Sequence, residues 1–102
     1  MKHYNVYISV KAHSDLIELT SYIAYELKSP ITSKRYATGI MNVINSLKTS
    51  AESFAVSSSA SILKFGYNAR RLNYKSHAII YIVKGNNVFI EAILPQSNIK
   101  GL

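Results

Sequence analysis

The spacing of apolar residues changes period twice along this chain, and the order of those changes limits the folds open to it. Val6, Ile8 and Val10 alternate with Asn5, Tyr7 and Ser9, the period of two that a half-buried strand requires, which predicts a strand from Tyr4 to Ser9. From Lys11 the period lengthens. Ala12, Leu16, Leu19, Ile23 and Leu27 recur three and four residues apart and form one stripe on a helix from Ala12 to Lys28. Ser29-Pro30 ends that helix, because proline pushes the residue before it out of helical geometry while suiting the first position of a new helix, with Ser29 as its N-cap. Tyr36, Ile40, Val43, Ile44 and Leu47 carry the second stripe from Pro30 to Thr49. So short a link predicts an antiparallel helical hairpin.

After a serine-rich stretch from Thr49 to Ser61, read as a mobile loop, the period of two returns. Ala69 to Lys75, Ala78 to Lys84 and Val88 to Leu94 are strand-like, with turns expected at Ser76-His77 and Gly85-Asn86-Asn87. They predict an antiparallel meander. Ile79-Ile80-Tyr81-Ile82-Val83 is continuously apolar, as in a central strand covered on both faces or on one by the helices. The first strand is expected at one sheet edge or beside the last strand. The reading is one α+β domain over residues 1–102, β-α-α-β-β-β, with an antiparallel sheet packed against the helical hairpin.

Composition removes several function classes. The 102 residues contain no cysteine, which excludes disulfides, thiolate zinc sites and a cysteine nucleophile. His3, His13 and His77 lack metal-ligand spacing, so no metal and no cofactor is expected. Asp15 is the only aspartate, and no Ser, His and Asp arrangement suggests a hydrolase. The longest apolar runs fall well short of the roughly 20 residues of a membrane span. Met1 to Val10 lacks the pattern of an export signal, so a cytoplasmic location is expected.

Twelve Lys and Arg stand against five Asp and Glu, a net charge of +7 that favours an acidic partner: nucleic acid, ribosome or protein. From residue 54 onward Lys64, Arg70, Arg71, Lys75, Lys84 and Lys100 face Glu91 alone, and Glu91 is expected to neutralise a neighbouring cation. Strand alternation puts Arg70, Leu72 and Tyr74 on one face and Arg71, Asn73 and Lys75 on the other. Arg70 therefore faces the apolar side, at the sheet rim or against a carboxylate, and Arg71 faces outward. Lys64, Arg70, Arg71, Tyr74 and Lys75 are the candidate contacts for an acidic target; Tyr81, centred in the most apolar strand, is read as core.

Tyr7-Ile8-Ser9-Val10-Lys11-Ala12 leading into Asp15-Leu16, then a second helix, then Arg70-Arg71-Leu72 and Ile79-Ile80-Tyr81-Ile82-Val83, resembles the RelE/ParE toxin superfamily over most of the chain. The resemblance implies a small basic growth-inhibiting toxin of a bacterial type II toxin-antitoxin system, neutralised by a cognate antitoxin that wraps it. RelE-like members cut messenger RNA on the ribosome without a metal, using strand arginines and a C-terminal Tyr or His; ParE-like members inhibit DNA gyrase. Here Asn73 and Ala92 stand where such arginines are expected, and Pro95 to Leu102 contains neither Tyr nor His. The Ser29-Pro30 hairpin and the position of Arg70 look like the ParE branch. A RelE-like messenger endonuclease, and an attenuated member that only binds its antitoxin, are the alternatives.

Overall fold

The computed structural model describes residues 2–99, so Lys100 lies outside the described residues. β1 (Asn5–Ile8) is followed by α1 (Val10–Ser21), which passes into a π-helical turn at Tyr22–Glu26; α2 spans Pro30–Ser50 and ends in a 3₁₀ turn at Ala51–Ser53. A one-turn helix, α3 (Ala60–Leu63), precedes β2 (Arg70–Tyr74), β3 (His77–Lys84) and β4 (Asn87–Pro95), and a 3₁₀ turn covers Gln96–Asn98. The sheet order is β1-β4-β3-β2. The last three strands form the expected antiparallel meander, while β1 runs parallel to β4 in the register Asn5↔Asn87 to Ile8↔Ile90. β1 therefore lies both at the sheet edge and beside the last strand.

Two apolar layers hold the sheet. On one face Ile40, Ile44 and Leu47 of α2 and Ala12 of α1 are buried with Ile79, Tyr81, Val88, Ile90 and Ile93. On the other, Ile62 and Ala69 are buried with Ala78, Ile80, Ile82 and Ala92. Both sides of β3 are thus covered, which explains its unbroken apolar run. Among the described residues no helix is long and apolar enough to cross a membrane.

Local chemistry sets boundaries that periodicity misplaced. α1 starts at Val10, two residues before its apolar stripe, because Ser9 Oγ accepts the Ala12 amide at 3.0 Å and donates to the Glu91 carbonyl at 3.2 Å. Its end does not run to Lys28 as α-helix. Leu27 N donates to Tyr22 O in π fashion, and Lys28 adopts φ 52°. Ser29 occupies the N-cap position of α2, yet its hydroxyl bonds Thr32 Oγ1 at 2.6 Å rather than a backbone amide. Ser33 Oγ, buried between the helices, donates to Thr20 O and ties the hairpin.

The serine-rich stretch is not a free loop. Val56 bridges Arg70, Ser57 N donates to Ala69 O, and α3 begins at Ala60. The segment is anchored because it covers the second face of the sheet. The β2–β3 turn is Lys75-Ser76, one residue earlier than expected, with Lys75 at φ 49°. The β3–β4 turn is Gly85-Asn86, where Gly85 takes φ 60° at no steric cost; Asn87 already pairs with Lys84.

Candidate functional site

α1 and the π turn stand away from the end of the β3–β4 ribbon and leave a groove of about 750 Å³. Leu19, Ile23 and Leu27 form its helical wall, and Ile93, Leu94 and Pro95 of β4 form its sheet wall. These leucines and the isoleucine belong to the α1 stripe, so the stripe divides its work: Leu16 and Leu19 pack on the core, while Leu27 is 57% exposed. At the hairpin tip Tyr22, Tyr25 and Ile31 are exposed as well. So many large apolar side chains in water at one end of a small domain mark a docking surface.

Polar groups occupy the groove's far end and its helical side. Tyr36 Oη lies 2.8 Å from His77 Nδ1 and 3.1 Å from Ser76 Oγ, and the Tyr36 ring meets His77 and Tyr74 edge-on at 5.5 and 5.2 Å. Burial pushes the His77 imidazole below its ordinary pKa, so it is neutral at pH 7. Asp15 Oδ2 accepts the Ile93 amide at 2.9 Å and pairs with Lys11, which fastens α1 to β4. Glu18 also lines the groove. Because the folded-state pKa of His77 is depressed, its contribution to stability is complete above about pH 6.5 and is lost as pH falls through the folded value. Urea midpoints should therefore drop between pH 7.5 and pH 5, and His77→Gln should flatten that drop.

The five residues picked from the sequence do not form one patch. Arg70 turns to the helix face, where Nη1 donates to Phe54 O at 2.6 Å and Glu52 O at 3.3 Å, just past the C-terminus of α2. It forms no ion pair within 4 Å among the described residues, although its charge reaches the Glu52 carboxylate, and its cation serves carbonyls at the negative end of a helix. Its Nε is buried without a partner. Tyr81 Oη donates to Ala51 O in the same place at 2.7 Å, and burial pushes that phenol up to about 12. Alongside, the Glu52 carboxylate is held below its ordinary range by the Tyr4 hydroxyl and then by Lys2. Tyr74 packs within the helix-face core.

Arg71 lies on the opposite face, its Nε on Asn73 Oδ1 and its Nη2 on Gln96 Oε1, both at 2.8 Å; Gln96 Nε2 in turn donates to the Lys75 carbonyl. Lys75 is exposed beside the groove residue Ser76, and Lys64 is exposed at the end of α3. Glu91 forms no ion pair within 4 Å among the described residues, contrary to expectation. Asn73 is committed to Arg71, and Ala92 is buried without a functional group. Arg70→Ala should therefore cost about 1–3 kcal/mol of stability through its orphaned carbonyls, whereas Arg71→Ala should stay within about 0.5 kcal/mol. Denaturant titration of the two single variants checks this.

The family model of the ParE toxin of the type II toxin-antitoxin system, parDE, matches residues 6–99. The chain belongs to the ParE toxin family. Among solved structures it is similar to one described as the chromosomal ParDE TA system from P. aeruginosa, at 18% identity, covering 91% of this chain and 96% of that one with a TM-score of 0.74. At that identity the likeness shows the fold. Among curated protein sequences none matches. For a ParE-family chain the groove was the feature hardest to find in the sequence, although Leu19, Ile23 and Leu27 were readable as a stripe. Tyr36 and His77 gave no signal, because 41 residues separate them.

Proposed function

We propose that this ParE-family toxin is held by a cognate antitoxin whose amphipathic segment folds into the groove between α1 and β4. The observation that supports this is the 750 Å³ apolar groove running out to the exposed Tyr22 and Leu27. A helix with apolar residues three and four apart would bury those side chains, as helix-in-groove recognition does. Acidic residues flanking that segment would meet Lys75 and Arg71 near the β2–β3 turn, and Tyr74 backs the groove residue Tyr36, while Arg70 and Lys64 stand apart from the groove. The antitoxin segment is disordered until it binds.

Released from that partner, the chain acts on DNA gyrase. Support comes from family membership and from Asn73 and Ala92, which supply no cation for cleaving RNA. Induction of the chain alone should arrest growth and relax plasmid supercoiling, and co-expression with the adjacent short reading frame should restore both and yield a stable complex. Primer extension that reveals codon-linked message cleavage, with supercoiling unchanged, would overturn the gyrase reading. Harmless induction together with a stable complex would identify an attenuated toxin.

A further inference from the structure

The sheet face opposite the helical hairpin carries a second surface that the antitoxin groove does not use. Across the β1–β4 pair, Tyr7 and Phe89 stack with centroids 5.5 Å apart and planes 21° from parallel, and Tyr7 is 51% exposed. Lys84 Nζ lies 5.9 Å from the Phe89 ring centre. Nearby, Lys64 and Lys11 approach the Phe65 ring at 5.4 and 5.9 Å. Ile82 joins the two groups: it packs with Phe65, and with Lys84, Phe89 and Glu91 it lines a shallow depression of about 170 Å³.

Two features hold this surface in place. Gly66 lies so close to Ile82 that a Cβ would come within 2.4 Å of Ile82 Cδ1, so glycine there lets the Lys64–Phe65 segment lie flat on the sheet. Asn68 Nδ2 ties the same segment to Val83 O at 3.3 Å. Glu91 sits where the β3–β4 register slips, opposite the Ile80/Tyr81 step, a bulge position that re-aims a side chain. It is half-buried and without an ion pair among the described residues, in the sheet face that carries the lysines.

We propose that this face seats single-stranded nucleic acid and takes an unpaired guanine beside Glu91. Exposed aromatic rings stack on bases, and flanking lysines meet the phosphates between them. Lys11 is held by Asp15, and Glu91, which forms no ion pair among the described residues, reads the base: guanine presents N1–H and N2–H side by side to its two oxygens, whereas adenine offers one amino group and uracil one imide N–H. A duplex hides those edges. An acidic peptide would gain nothing from the stacked rings and would be repelled by Glu91. Since none of Tyr7, Lys64, Phe65, Lys84, Phe89 and Glu91 lines the groove, both sites can be filled together.

Fluorescence anisotropy with a labelled hexauridylate carrying one central guanine tests this against the same hexamer carrying adenine, the DNA counterparts and a duplex. The guanine hexamer should bind at least fivefold tighter than the adenine hexamer, and binding should weaken steeply with salt. Tyr7→Ala and Lys84→Glu, both at exposed positions, should each weaken binding about tenfold with unchanged melting temperature. Glu91→Gln should erase the guanine preference while leaving adenine-hexamer affinity unchanged or higher. Equal RNA and DNA affinities would show that base and phosphate alone are read; RNA-only binding would add the ribose hydroxyl. Equal or tighter duplex binding, a preference that survives Glu91→Gln, or equally effective competition by a polyglutamate peptide would overturn the proposal, the last by making the face a protein docking site.

Discussion

Gly39→Ala should destabilise this chain more than alanine at Gly66 or Gly85, by about 1–3 kcal/mol. A Cβ at Gly39 would lie 1.9 Å from Tyr74 Oη and 2.3 Å from its Cζ, so the ring itself must move. Tyr74 stands edge-on to Tyr36, and Tyr36 holds His77; the displacement therefore reaches the polar end of the groove. A loss of that size lowers the melting temperature of a domain near 100 residues by about 4–8 °C per kcal/mol. Adding Tyr74→Phe removes the nearest clashing atom and should recover part of the loss, a coupling that a double-mutant cycle measures directly. Full tolerance of alanine at position 39 would mean that α2 does not approach the sheet so closely.

Leu27→Asp should cost the antitoxin complex at least about 2 kcal/mol, roughly a thirtyfold rise in Kd. Leu27 lines the groove and is more than half exposed, so a carboxylate there removes apolar contact and adds an uncompensated charge to an interface that already contains Glu18. The free chain should hardly notice, with a stability change within about 0.5 kcal/mol. Titration calorimetry against the purified antitoxin, beside a thermal melt of the variant alone, separates the two effects. Undiminished affinity would move the antitoxin off this groove.

How far the sequence could be read depended on whether the determining contacts were local. The alternation of Val6 and Ile8, the α1 stripe and the apolar block Ile79–Val83 each reflect burial of a single element, and periodicity exposes that directly. The Ser29-Pro30 break was legible for the same reason. What escaped was set by partners far away in sequence. Ser9 starts α1 early because the Glu91 carbonyl lies beside it, and the serine-rich stretch is ordered because Ala69 and Arg70 bind it. Arg70 read as a cation at the sheet rim or against a carboxylate, and as a contact for an acidic target. Only the carbonyls of Glu52 and Phe54, 18 and 16 residues away, reveal its structural use. The groove is assembled from α1, α2, the β2–β3 turn and β4, and no window of sequence contains it.

The parallel pairing of β1 with β4 joins Asn5 to Asn87, and that has a consequence for timing. A chain growing from its N-terminus makes β1 well before the strand that β1 pairs with. The meander it needs is made last, and pairing across so long a separation is slow to close. The nascent chain therefore lacks the sheet wall of the groove until β4 has been made. The helical wall stands ready first and meets its sheet wall only when β4 is in place, so the groove opens to any partner at the end of folding and not before.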